Sequence, residues 1–209
     1  TVAKAKGLEP LADIIIAQEE KKDINEIAQE FVNIDNLSDE DKNNKDKVVA
    51  TAEDAIQGAL DIIAENISDN AKYRKYIKKI CYREGTIVTK SAKPDEKSNY
   101  EMYYEFAELV HKLPSHRILA INRGEKEEFL KIKLEKPEEK ILKYIEKDII
   151  KNTTQFTEML KTTIEDSFKR LIEPSVDREI RSDLTEKAEE KAIKVFGKNS
   201  KQLLLGAPI

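Results

Sequence analysis

The sequence predicts a mainly α fold: a helical scaffold with one small β element and a long C-terminal linker helix. Three observations carry that reading. Only six Gly and six Pro punctuate 209 residues, while charged residues make up 37% and hydrophobic residues 39%, a balance typical of long, salt-laced helices. Apolar residues recur every three or four positions along most of the chain, the period of one helical face. That period breaks in two short places, 86–89 and 130–134. The organisation expected is a helical domain with the β element over 1–136, then a helical segment with the linker helix over 137–209.

Taken in order, Pro10 suits the first turn of a helix through Leu11, Ile14 and Ile15, because its missing N–H would have no partner there. Asp23 and Glu26 form a capping pair for a short helix carrying Ile24, Ile27, Ala28 and Phe31. Residues 33–47 are polar and Asn-rich and read as an exposed loop. Thr51 caps a helix whose stripe is Ala52, Ala55, Ile56, Ala59, Leu60 and Ile63, with Gly58 beside it to admit a close neighbour. Ser68 is expected to cap the next helix, with Tyr73, Tyr76, Ile77, Ile80 and Cys81 on one side.

Thr86-Ile87-Val88-Thr89 is β-branched throughout and reads as a strand, and Leu130-Lys131-Ile132-Lys133-Leu134 alternates like a strand with one buried face. The two should pair, since a lone strand leaves its backbone unsatisfied. Between them, residues 100–110 are rich in aromatics and helix formers and read as a helix. Beyond, Pro137 opens a helix carrying Ile141, Leu142, Ile145 and Ile149. A second carries Phe156, Leu160, Ile164, Phe168 and Leu171, and Pro174 is expected to stop it. Ser175 then opens a long helix over 175–196 bearing Val176, Ile180, Leu184, Ala188, Ala192 and Val195, with Gly197 as its left-handed cap.

No run approaches the roughly 20 apolar residues of a membrane span, so no membrane partner is expected. A lone Cys81 leaves no internal disulfide and suits a reducing cytoplasm. The chain starts without methionine or an apolar leader and reads as cut from something longer. The net charge of −4 conceals a division. Residues 11–66 hold 15 acids against 5 lysines, a net −10, whereas residues 67–98 hold 9 Lys/Arg against 4 acids, a net +5. An acidic chain does not coat nucleic acid along its length, but the basic segment can touch phosphate locally.

Catalytic, metal and cofactor signatures are missing. There is no phosphate-binding glycine loop. His111 and His116 are five apart, the wrong spacing for two ligands on one helical face. Ser115 and His116 are adjacent, and neighbours on a helix do not face each other. No enzyme activity, metal or cofactor is expected. The candidate nucleic-acid-binding residues are Lys72, Lys75, Lys78, Lys79 and Arg83, with Tyr73, Tyr76 and Tyr82 available for stacking. The competing reading has the tyrosines in the core and the lysines neutralising the acidic segment upstream. The position of Tyr73 and Tyr76 on the Ile77/Ile80 side favours it.

Residues 113–125, Leu-Pro-Ser-His-Arg-Ile-Leu-Ala-Ile-Asn-Arg-Gly-Glu, resemble the "PSHR-x-LA-x-x-RG" motif of the Tex family of bacterial transcription accessory proteins. Gly7-Leu8-Glu9-Pro10-Leu11-Ala12 is similar to that family's "GLEPLA" box. Pro174-Ser175-Val176-Asp177-Arg178-Glu179-Ile180-Arg181, continuing to Val195-Phe196, resembles its linker helix. The matches fall in family order. The resemblance implies that this helical region precedes a nuclease-like YqgF fold, helix-hairpin-helix units and an OB-type RNA-binding domain, with 203–209 leading into the YqgF-like part. Glu128 stands where the family tends to place glycine, which counts against a tight turn there. From the residues, Ser115 should cap a short helix ended by Arg123-Gly124, with Arg117 and Arg123 paired to acids on neighbouring helices.

Two functions follow as expectations. The first is a cytoplasmic transcription accessory module associated with nucleic acid, binding RNA or DNA weakly and holding stronger binding domains in position. The second is a protein-interaction module that docks the transcription machinery, a partner met through the acidic N-terminal third. The oligomeric state is not legible.

Overall fold

The computed structural model describes residues 1–206. The fold is mainly helical, with one three-stranded antiparallel sheet and a long C-terminal helix. The chain crosses between two compact units near 74/75, 138/139 and 174/175. One unit comprises Thr1–Arg74 with Glu139–Pro174, and the other Lys75–Glu138 with the chain from Ser175 onward.

In the first unit, α1 (Val2–Ala5) and α2 (Glu9–Ala17) are joined through Gly7, whose φ of 75° is a left-handed seat that glycine takes without a Cβ penalty. Pro10 lies in the first turn of α2, as its fixed φ favours. The Asp23 side chain accepts from the Asn25 N–H to open α3 (Ile24–Gln29). Residues 33–47 hold more structure than a loop: a 3-10 turn at Ile34–Asn36 and the short α4 (Asp39–Lys42), capped by Ser38. Thr51 accepts from the Asp54 N–H at 3.1 Å and starts α5 (Ala52–Asp69). Helix α5 is the axis of this unit, with α1, α2, α3 and α9 (Thr157–Asp166) packed on it. A Cβ at Gly58 would lie 2.3 Å from Leu8 Cδ1, so any larger residue there must displace the Leu8 side chain.

Ser68 does not cap a helix. It lies inside α5, buried, and its hydroxyl accepts from the Arg74 guanidinium at 3.0 Å. The cap of α6 (Ala71–Glu84) is Asn70, whose side chain accepts from the Tyr73 N–H at 3.2 Å. The returning chain adds α8 (Glu138–Ile149), then α9 and a π-helical turn at Ser167–Ile172. Phe156, Leu160, Ile164, Phe168 and Ile172, spaced by four, are all fully buried. The Ser167 hydroxyl, also buried, donates to the Ala64 carbonyl at 2.6 Å.

In the second unit, β1 (Thr86–Ser91) is central and antiparallel to both β2 (Glu105–Leu109) and β3 (Leu130–Glu135), in the order β2-β1-β3. The pairing of 86–89 with 130–134 is as the sequence implies, with Ile87 opposite Leu134. The helix expected over 100–110 is absent: a 3-10 turn at Glu101–Tyr103 leads into β2. The reason is the backbone of β1. A central strand presents N–H and C=O groups on both edges, β3 satisfies one edge, and β2 supplies the other against local helix preference.

Helix α7 (Ser115–Lys126) packs on β3. Pro114 occupies its cap position, and Ser115 is its first residue without a capping bond. The helix continues through Gly124, which is buried and where a Cβ would meet Leu130 Cδ1 at 2.5 Å. The left-handed residue is Glu128 at φ 63°, so the turn forms with glutamate in the seat where glycine was expected. Phe129 N–H, bonded to the Gly124 carbonyl at 2.9 Å, closes it.

Pro174 does not stop a helix, and Ser175 does not start one. The run stays helical from Thr157 into α10 (Glu173–Leu205), with Pro174 as the second residue of α10 just after the π turn. A proline lacks the N–H and crowds the carbonyl four residues back. A π turn widens the helix and re-routes its bonding at that point. Gly197 is likewise inside α10 rather than a left-handed cap. Val176, Ile180 and Ala188 are buried, whereas Ile193, Val195 and Phe196 are exposed. Of the expected 203–209 lead, Leu203 to Leu205 end α10, and 207–209 lie outside the described residues. Among the described residues no helix is long and apolar enough to cross a membrane.

Candidate nucleic-acid interface

Helix α6 sorts its side chains by face. Tyr73, Ile77, Ile80 and Cys81 are buried, and Tyr76 is half-buried. The tyrosines at 73 and 82 point their hydroxyls at acids rather than offering free rings. In the first unit, Tyr73 donates to Asp148 Oδ2 at 2.5 Å, and Lys72 Nζ meets Asp148 Oδ1 at 2.9 Å. Burial, then the bond to Asp148, drives the Tyr73 hydroxyl well above the usual phenol range. Those two hydrogen bonds, Tyr73 first, hold the Asp148 carboxyl below the usual range.

In the second unit, Lys78 Nζ lies 2.8 Å from Glu179 Oε1 and 2.9 Å from Asp183 Oδ2, both on α10. Four residues on, Tyr82 donates to Asp183 Oδ2 at 3.1 Å, and Lys187 Nζ sits 5.4 Å from the Tyr82 ring centroid. Hydrogen bonds to Glu179 and Asp183 raise the Lys78 ammonium above the usual lysine range. Burial, with the bond to Asp183, pushes the Tyr82 hydroxyl up to about 12.

The five sequence-predicted cations therefore separate. Lys72 and Lys78 are engaged by carboxylates. Lys75, Lys79 and Arg83 are exposed and follow one another at intervals of four, which places them on one helical face. Arg83 pairs with its neighbour Glu84 at 3.0 Å while its side chain stays 66% exposed. Among the described residues Lys75 and Lys79 make no ion pair. Lys75 and Lys79 can meet phosphate oxygens without first giving up a carboxylate. Sequence reasoning missed Asp148, Glu179 and Asp183. The one signal for Glu179 and Asp183 was the spacing of four they share with Lys78/Tyr82, and matching the two pairs needs the fold.

Several side chains of the 113–125 motif make contacts within the second unit. Arg117 pairs with Glu108 Oε2 at 2.9 Å and lies 5.6 Å from the Phe106 ring, so its partner is on strand β2 rather than on a helix. Arg123, expected to pair similarly, is exposed and makes no ion pair among the described residues. The work falls instead to its neighbours. Arg181 of α10 donates to Asn122 Oδ1 at 2.9 Å and Glu125 Oε2 at 2.7 Å, and Asn122 donates to Thr185 Oγ1 at 2.8 Å. The almost fully buried Lys136 ammonium meets Asp177 Oδ1 at 2.8 Å. His111 and His116 are both exposed.

Compared with known sequences, residues 19–196 match the Tex central region-like family. The chain is 47% identical over 213 residues to "Uncharacterized protein YdcI" of Bacillus subtilis (strain 168), covering 100% of the chain and 28% of the relative. It is 31% identical over 215 residues to "Transcriptional accessory protein Tex" of Neisseria gonorrhoeae, covering 99% of the chain and 27% of the relative. It is 28% identical over 178 residues to the human "S1 RNA-binding domain-containing protein 1", covering 78% of the chain and 18% of that protein. The chain thus spans little more than a quarter of the bacterial relatives it matches.

Proposed function

This chain belongs to the Tex central region-like family, and on that premise we propose that it is the helical scaffold of a cytoplasmic transcription accessory factor, making weak phosphate contacts of its own and performing no chemistry. The observation that carries the reading is the exposed row Lys75, Lys79, Arg83 on α6, two of whose members have no carboxylate partner among the described residues. Three cations on one face attract a phosphate backbone, while the net −10 of residues 11–66 limits the affinity. Weakness suits a scaffold. Two of the relatives are named for transcriptional accessory function and for an S1 RNA-binding domain, and strong binding is assigned here to domains of that kind.

The test is a pair of titrations of the chain and its Lys75→Glu/Lys79→Glu variant with a labelled single-stranded RNA at two salt concentrations. Each lost phosphate contact flattens the slope of log K against log salt by about 0.7 for a single strand. The variant should bind about tenfold more weakly, with a slope shallower by about 1.4. Equal binding by both proteins removes α6 from the interface. Binding by neither favours docking of a protein partner.

A further inference from the structure

We propose that the open face of the sheet is a second contact surface for single-stranded nucleic acid, with Lys90, Lys131 and Lys133 on phosphates and the adjoining cleft taking an unpaired base. The inference rests on the nucleic-acid reading above and adds where a strand lies and that it is single. Side chains alternate across a sheet, so register decides which share a face. Ile87, Thr89 and Leu134 are buried, and Glu108, opposite Ile87, reaches Arg117 of α7; helix α7 therefore covers that face. The other face carries Thr86, Val88 and Lys90 of β1, Glu105 and Ala107 of β2, and Lys131, Lys133 and, at the far end, Glu135 of β3.

Lys90 is directly opposite Lys131, and Val88 opposite Lys133. Like charges in directly opposed positions destabilise a sheet. All three lysines are exposed, and among the described residues none has an ion pair, even though Glu105 is the other cross-strand neighbour of Lys90. Lysine on an edge strand protects against edge-to-edge pairing. That accounts for Lys131 and Lys133 on β3 but not for Lys90 on the central strand. An anionic polymer laid across β1 and β3 relieves the repulsion and fits the charge.

Beside the lysines is an open cleft of about 850 Å³, with Val88, Ala107, Met102 and Tyr104 among its walls. Met102 is 63% exposed there. Glu101 and Glu105 on the β2 side repel phosphate and direct the backbone towards β3. A duplex presents phosphates but hides its base faces. A single strand presents both, and an aromatic wall such as Tyr104 stacks a base face without reading its sequence.

The experiment uses the whole chain and a fluorescein-labelled oligouridylate. Lys131→Glu/Lys133→Glu should weaken binding about tenfold and flatten the salt slope by about 1.4, while Lys131→Arg/Lys133→Arg binds like the unaltered chain. All should share one far-ultraviolet circular dichroism spectrum, because both positions are exposed. The sequence has no Trp, so Met102→Trp introduces a lone reporter whose emission should be quenched by the single strand and not by a duplex of equal phosphate count. Unchanged binding by the glutamate variant, or unmoved Met102→Trp emission at saturation, overturns the proposal. If the unaltered chain shows no salt-dependent binding, both readings fall. Loss in Lys75→Glu/Lys79→Glu alone removes only the sheet surface, and loss in Lys131→Glu/Lys133→Glu alone removes only the α6 assignment.

Discussion

Two glycines, one just past a helix and one inside a helix, should respond oppositely to the same substitution. Gly85 joins α6 to β1 and is buried. Its N–H donates to the Cys81 carbonyl at 2.8 Å, and its own carbonyl accepts from the Val110 N–H at 2.9 Å. A Cβ there would lie 2.3 Å from the Cys81 carbonyl oxygen and 3.3 Å from Leu134 Cδ1. The first neighbour is backbone, so it cannot rotate away. Either the helix terminus or the start of β1 must move, breaking one of the two hydrogen bonds. Overpacking of this kind costs about 1–3 kcal/mol, and the reduced freedom of the unfolded chain returns about 0.4–1 kcal/mol. Gly85→Ala should therefore destabilise by about 1.3 kcal/mol, a fall in Tm of roughly 3–5 °C for a chain of this size. Gly197, inside α10 with nothing within 4 Å of its Cβ position, has no such conflict. Gly197→Ala should raise helical content and cost nothing, since alanine exceeds glycine by about 1 kcal/mol in helix propensity. Thermal unfolding followed by far-ultraviolet circular dichroism reads both. A Gly85→Ala chain as stable as the original would refute the reasoning.

Two further outcomes follow from the packing and electrostatics. Phe168 is fully buried in the first unit, and Phe168→Ala should cost about 3–5 kcal/mol in urea unfolding; a loss below about 1 kcal/mol would mean that the π turn does not hold its side chain in the core. Tyr82 is raised from 10.0 to about 12, so the folded state holds its proton more tightly than the unfolded state. Its contribution to stability is whole below pH 10 and is lost as pH rises from about 10 to about 12. Asp183→Asn, which removes the hydrogen-bonded carboxylate, should move tyrosinate formation to lower pH in an absorbance titration. An unmoved titration would show that Asp183 plays no part.

Much of the fold was legible where a local rule had a single answer. Thr51 and Asp23 cap their helices because a short acceptor before an apolar stripe has little else to do. The strand at 130–134 was legible from alternation alone. The failures share a cause, which is partnership at a distance. Residues 105–109 became a strand only because β1 needed a second edge, and Ser68 lost its capping role to Asn70. Pro174 reads as a stop unless the π turn ahead of it is known. The site was half legible: the spacing of Lys75, Lys79 and Arg83 put them on one face, but the acids that engage Lys72 and Lys78 lie 76 and about 100 residues away. Lys90 and Lys131 are neighbours only through strand register.

The most direct test of the central claim, that this scaffold touches nucleic acid weakly through phosphate contacts, is the affinity of the unaltered chain for single-stranded RNA across a salt series. Three contacts from α6 predict a log–log slope near −2, steeper if the sheet contributes, with Kd of about 10⁻⁴ to 10⁻⁶ M at physiological salt. A flat salt dependence, or a Kd near 10⁻⁸ M typical of specific recognition, would contradict it.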